Sequence, residues 1–206
     1  MTITTSGASR PCPLTRRLAA LTRAATLPPV MALGLLLLLW ALCRETFSGP
    51  GQLLLSILFL AVSPTLAYPV WAVIPPLRKG GRPLQRKLAF VTTFAGYFGA
   101  VIYGLASRAS ADLMFVCLGY AFSYLALLAL NLCRVKASGH ACGVVGPLIL
   151  FLRATAGRGV WFVLPCVVLF LLVIWSSLKL KRHTPGELAW GASTALMGYG
   201  VAMLIL

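Results

Sequence analysis

Acidic residues are almost missing from this chain. Of 206 residues only Glu45, Asp112 and Glu187 are carboxylates, against 18 lysines and arginines. The three acids fall in three different loops. Two-metal hydrolysis and proton-relay transport both need several converging acids, so this scarcity argues against either. Histidine is rarer still, with His140 and His183 alone. The six cysteines are scattered, form no CxxC pair, and sit mostly inside or beside apolar runs. Such thiols behave as small hydrophobes. Cys133, His140 and Cys142 lack the fourth ligand that a zinc site needs. No metal and no cofactor is expected. Charge of either sign is sparse at 10% of residues, while 60% are hydrophobic, which is not the composition of a soluble domain.

What the chain has in quantity is long apolar runs. They cover about 27–43, 53–77, 88–107, 113–133, 140–152, 160–176 and 187–206, several near the roughly 20 residues that span a bilayer. The runs are too continuous for the alternating strands of a membrane β-barrel. The expected fold is therefore all-α, a polytopic transmembrane helix bundle of six to seven spans. Pro64, Pro69, Pro75 and Pro76 predict a kinked second run with a broken last turn. Residues 1–26 stand apart, with four arginines, eight Ser/Thr and no acid. Leu14, Leu18 and Leu21 fall at helical spacing there, with Arg16, Arg17 and Arg23 on the other faces. That pattern predicts a basic segment, disordered and then amphipathic, lying on anionic lipid. Residues 27–206 form the transmembrane domain.

Counting spans places the N-terminus and the loops at 78–87, 134–140 and 177–187 on one side. Fourteen of the 18 cations lie there, leaving Arg44, Arg108, Arg153 and Arg158 opposite. The positive-inside rule makes the basic side cytoplasmic. Its expected partners are anionic headgroups, not nucleic acid.

Both histidines belong to that side, in Lys136-Ala137-Ser138-Gly139-His140 and in Lys179-Leu180-Lys181-Arg182-His183-Thr184-Pro185-Gly186-Glu187. Each segment opens a helix-like run. An imidazole at a helix start with cations beside it suits chemistry on an anion near a lipid headgroup. Simpler readings exist for the same residues. Thr184, Pro185 and Glu187 also spell a capping box, the histidines suit a membrane interface, and Gly139, Gly143 and Gly146 suit a packing face.

These residues resemble the type 2 phosphatidic acid phosphatase superfamily, which includes lipid phosphatases and vanadium haloperoxidases. Its pattern has three parts: Lys, six residues and Arg-Pro; then Pro-Ser-Gly-His; then Ser-Arg, five residues, His, three residues and Asp. Ser138-Gly139-His140 matches the second part, with Ala137 for proline. His183 and Glu187 match the third, with Ser176-Ser177 where the family has Ser-Arg. Arg82-Pro83 matches the first, with Pro75 at the lysine position. The likeness covers roughly residues 75–200 and implies a lipid-phosphatase-like core acting on a lipid phosphate or prenyl (di)phosphate. It implies that His183 attacks phosphorus and that Glu187 orients it. A protonated His140 would serve the leaving group, while Ser138 and Gly139 cradle phosphate oxygens. Arg82, aided by Lys79, Lys136 or Arg182, would balance the charge. The departures at Ser177 and Pro75 leave a catalytically inactive relative that binds anionic lipid or a membrane partner as the alternative.

Overall fold

The computed structural model describes residues 13–156, 161 and 163–206; the first twelve residues of the basic N-terminal segment lie outside it. Among the described residues the chain is helical, without strands. Eleven helices follow one another: α1 (Pro13–Ala25), α2 (Pro28–Leu42), α3 (Pro50–Ile57), α4 (Ser63–Thr65), α5 (Ala67–Val73), α6 (Pro75–Lys79), α7 (Gly81–Ala106), α8 (Ala111–Leu132), α9 (Gly139–Ala154), α10 (Val163–Lys179) and α11 (Pro185–Ile205).

Three of these, α7, α8 and α11, are long and apolar enough to cross a bilayer; the bent pairs α1–α2 and α3/α4–α5 raise the number to five. The expectation of six to seven spans is met in part, with three to five among the described residues. The apolar runs near 140–152 and 160–176 become α9 and α10, of 16 and 17 residues. At 1.5 Å per residue each reaches only about 24–26 Å, short of the ~30 Å hydrocarbon core. Large apolar side chains cover much of the outer surface, including Leu132, Leu164 and Leu204, as a lipid-facing bundle requires.

The second apolar run breaks where its prolines stand. Pro64 has no N–H and would crowd the carbonyl four residues back; the chain widens into a π-turn over Leu58–Val62 just before it. A 48° bend then separates Pro50–Thr65 from Ala67–Val73. Ser63 Oγ donates to Thr92 O at 2.9 Å across this break, tying it to α7.

Helix α8 is the axis of the bundle, buried along most of its length from Leu113 to Leu127. Helices α9 and α11 pack closely with it and with each other, and α2 lies on α9. Two sets of contacts fix the ends. At one, Ser110 Oγ donates to Thr46 O at 2.7 Å and Cys43 Sγ to Ala154 O at 3.4 Å. At the other meet the end of α1, the ends of α8 and α10, and the starts of α9 and α11. Both histidine segments sit at that second end.

Three helices finish with one device. In α7, α8 and α10 the second residue after the helix takes a left-handed conformation, and each time it is a cation: Arg108 (φ 48°), Arg134 (φ 61°) and Lys181 (φ 51°). The bonds Ala109 N–H to Gly104 O, Val135 N–H to Leu130 O and Arg182 N–H to Ser177 O close each end. These are Schellman caps, normally built on glycine. A cation there instead faces the negative end of the helix dipole. Two of these stops lead directly into the histidine segments.

Candidate functional site

Each histidine segment starts a helix with a side-chain cap. Ser138 Oγ accepts from Ala141 N–H at 3.3 Å and Thr184 Oγ1 from Glu187 N–H at 3.2 Å. The two helix starts are joined by backbone, Ser138 N–H donating to Glu187 O at 2.9 Å. Gly191, one turn into α11, makes this approach feasible: a Cβ there would collide with the carbonyl of Ser138.

His183 and Glu187 lie one turn apart and bond directly, Nδ1 to Oε2 at 2.8 Å. The other carboxylate oxygen takes Lys136 Nζ, also at 2.8 Å. The Thr184 backbone N–H adds a weaker interaction to the same carboxylate. Capping and orienting are therefore compatible duties of one side chain. With Nδ1 engaged, His183 presents Nε2, which has no hydrogen-bond partner among the described residues. The side chain is 17% exposed.

His140 is buried at 6% exposure. Its Nε2 lies 3.0 Å from Thr26 Oγ1. That hydroxyl gives its one proton to Thr22 O at 2.8 Å, so it accepts from the imidazole, and the proton of a neutral His140 sits on Nε2. Burial, then the nearby charge of Arg23, then that of His183 push His140 down to about 4 from 6.5. In the free site it is neutral near pH 7, which corrects the expectation of a standing protonated acid. The charge of His183 reaches His140, and the backbone bond from Ser138 to Glu187 joins the two segments that carry the rings.

The remaining expected residues divide. Arg182 borders the site, its charge acting on Arg23. Lys136 is committed to Glu187, so its partner is the acid and not a free anion. Ser138 has no exposed surface and serves as the cap, with its oxygen engaged inward. Gly139 stands beside it, and a Cβ added there would meet Leu127 at 3.4 Å. Arg82 and Lys79 are exposed, and neither makes a polar contact with the histidines or Glu187 among the described residues. Helix α7 packs on α8, on the π-turn at Leu58–Val62 and on α4 and α5; Arg86, one turn on, is a cation that lines the cavity. No three His, Cys, Asp or Glu side chains gather as a metal set among the described residues.

Two functional candidates were not foreseen. Helix α1 packs on α10 with fully buried Ala19 between them, and it exposes Leu14, Leu18 and Leu21 outward. Its inward face continues through Arg23 to Thr26. Arg23 Nη1 donates to Ser177 Oγ at 3.2 Å, and Ser177 has no exposed surface. The segment expected to lie on lipid with its arginines in water instead delivers one arginine and one threonine to the histidines. The signal was present as small Ala19 in register with Arg23 and Thr26, opposite the leucine stripe.

A cavity of about 450 Å³ lies on the apolar side of this cluster. Leu27 and Gly139, each next to a member of the Thr26–His140 bond, line one part of it; Tyr97, Leu150 and Tyr199 line others. A buried imidazole, a His–carboxylate pair and a guanidinium thus converge beside an apolar hollow, an arrangement able to hold an amphiphile by its anionic end. No family model, curated protein or solved structure matches the chain.

Proposed function

We propose that the protein is an integral membrane lipid phosphatase that removes phosphate from a lipid phosphate or prenyl (di)phosphate through a phosphohistidine, without metal. The observation that carries this reading is the His183–Glu187 pair at 2.8 Å, with His140 as its electrostatic neighbour. Glu187 holds Nδ1–H, which leaves the Nε2 lone pair for attack on phosphorus. As the Nε2–P bond forms, the P–O bond to the lipid breaks. The departing oxygen takes a proton from His140. Because Nε2 of His140 already carries hydrogen toward Thr26, Nδ1 is the nitrogen that gains and gives this proton. The negative phosphate supplies the charge that favours that protonation once substrate is bound. Water then attacks the phosphohistidine, His140 takes its proton, and phosphate leaves with His183 restored.

A lipid substrate is favoured over a soluble one by the adjoining cavity. At ~30 Å³ for a group the size of water, its 450 Å³ corresponds to about fifteen chain carbons. Counting spans in the sequence puts fourteen cations on the side of the histidine segments, which the positive-inside rule reads as the cytoplasm, and this favours a phosphatidic acid or phosphatidylglycerophosphate type of substrate. The burial of Ser138 and the neutrality of His140 in the free site are what an inactive, anionic-lipid-binding relative would share. Phosphate release from a panel of lipid phosphates in detergent, with EDTA present, separates the two readings. Metal-independent release that His183→Ala abolishes supports the enzyme. Release equal in both proteins refutes His183 as nucleophile, and none from either leaves the binding protein.

A further inference from the structure

The charges around the histidines do not balance. Arg23 and Arg182 lie within electrostatic reach of each other and Arg23 within reach of His140, and Glu187 is the acid nearest these groups among the described residues. Glu187 is already shared by Lys136 and His183. The other two carboxylates lie elsewhere, Glu45 in the turn after α2 and Asp112 in the first turn of α8, where α8 starts at the opposite end of the bundle.

Among the described residues Arg23 bonds a hydroxyl and no acid. Its guanidinium has five donors, of which one bonds the neutral hydroxyl of Ser177. Its charge weighs on both His140 and Arg182. An arginine turned inward on a helix of otherwise suitable amphipathy, partly desolvated and unpaired, is costly unless an anion joins it. A planar fork presented this way is matched to the oxygens of a phosphate.

We propose that Arg23 is the guanidinium that grips the phosphate of the substrate, aimed by its bond to Ser177, so that the inward face of helix α1 is a wall of the active site. The proposal rests on the reading of this site as one for a phosphate group. It assigns to the N-terminal segment the arginine that position 177 does not carry. Ser177 acts as a positioning residue, since it touches the guanidinium and not the anion.

The test uses the full chain in detergent and inorganic phosphate as the probe. Arg23→Ala, Arg23→Lys and Ser177→Ala are compared with wild type for thermal stabilisation by phosphate, for inhibition of turnover by phosphate, and for KM and kcat. Loss of a charged hydrogen bond corresponds to about 10- to 100-fold. Arg23→Ala should weaken phosphate binding and raise KM by that factor, Arg23→Lys by less, and Ser177→Ala by a few-fold. A merely structural arginine would lower the melting temperature of the free protein while leaving phosphate affinity of the folded fraction unchanged; that result overturns the proposal. Should Arg23→Ala not fold, Arg23→Lys and Ser177→Ala decide by the same affinity measurement. Wild type that turns nothing over but is stabilised by phosphate, with Arg23→Ala stabilised far less, upholds the anion site and sinks the phosphatase. Turnover by wild type and Arg23→Ala with equal KM and equal phosphate inhibition does the reverse.

Discussion

Thr26→Val removes the acceptor that holds His140 and changes little else. Thr26 is 4% exposed and His140 6%, so water cannot replace the lost oxygen. The Thr26 hydroxyl also donates to Thr22 O, a local bond whose loss is minor because Thr26 N–H still bonds the same carbonyl. The large term is the imidazole N–H left buried without a partner, about 1–3 kcal/mol. At roughly 2–4 °C per kcal/mol for a chain of this size, the melting temperature should fall by about 2–12 °C. Thr26→Ser keeps the oxygen and should stay near wild type. The assay is thermal unfolding in detergent followed with a thiol-reactive dye, for which buried Cys117, Cys142 and Cys166 are built-in probes. A Thr26→Val protein melting within 1 °C of wild type would refute the account of how α1 and His140 are joined.

Further outcomes follow from the same geometry. Gly191→Ala drives a methyl into the Ser138 carbonyl and should cost about 1–3 kcal/mol, with turnover lost more steeply than stability because the two helix starts separate; unchanged turnover contradicts this. His140 is held down to about 4 by burial, by Arg23 on α1 and by His183 before α11, with neutral Thr26 completing its surroundings. The unfolded chain therefore binds the proton more tightly, so stability is full above pH 6.5 and falls as pH drops toward 4, by about 3 kcal/mol. Comparing the pH dependence of unfolding for wild type and His140→Asn checks this, and the two curves should part below pH 6.5. Lys181→Gly relieves a left-handed conformation (φ 51°) and should raise stability by about 1 kcal/mol. A drop in melting temperature would mean the lysine's charge at the helix end outweighs its strain.

Much of the fold was legible because apolar runs, prolines and caps are local signals. Ser138 and Thr184 sit at the helix starts, and His183 meets Glu187 because the carboxylate of the capping box folds back over Thr184 toward the residue before it. The breaks before and after Pro64 follow from the missing N–H. Span number was not legible, since the lengths of α9 and α10 depend on where Thr155 and the Lys181 stop end them. Helix α1 misled in a specific way: its leucine stripe reads as a face that seeks apolar surroundings, and in a membrane bundle lipid satisfies it as well as protein does. The inward face was therefore the polar one. That Arg82 and Lys79 make no polar contact with the histidines among the described residues was not legible for a related reason, because pairing α7 with α8 is a tertiary fact that no spacing encodes.

The central claim is that His183 carries the phosphoryl group, and the most direct measurement is to catch it there. Wild-type protein quenched during turnover of a 32P-labelled lipid phosphate should carry label that is stable to alkali, labile to acid and located on the peptide containing His183. Glu187→Gln should accumulate less, and His183→Ala none. Turnover without labelled protein, or label that persists in His183→Ala, would contradict the account.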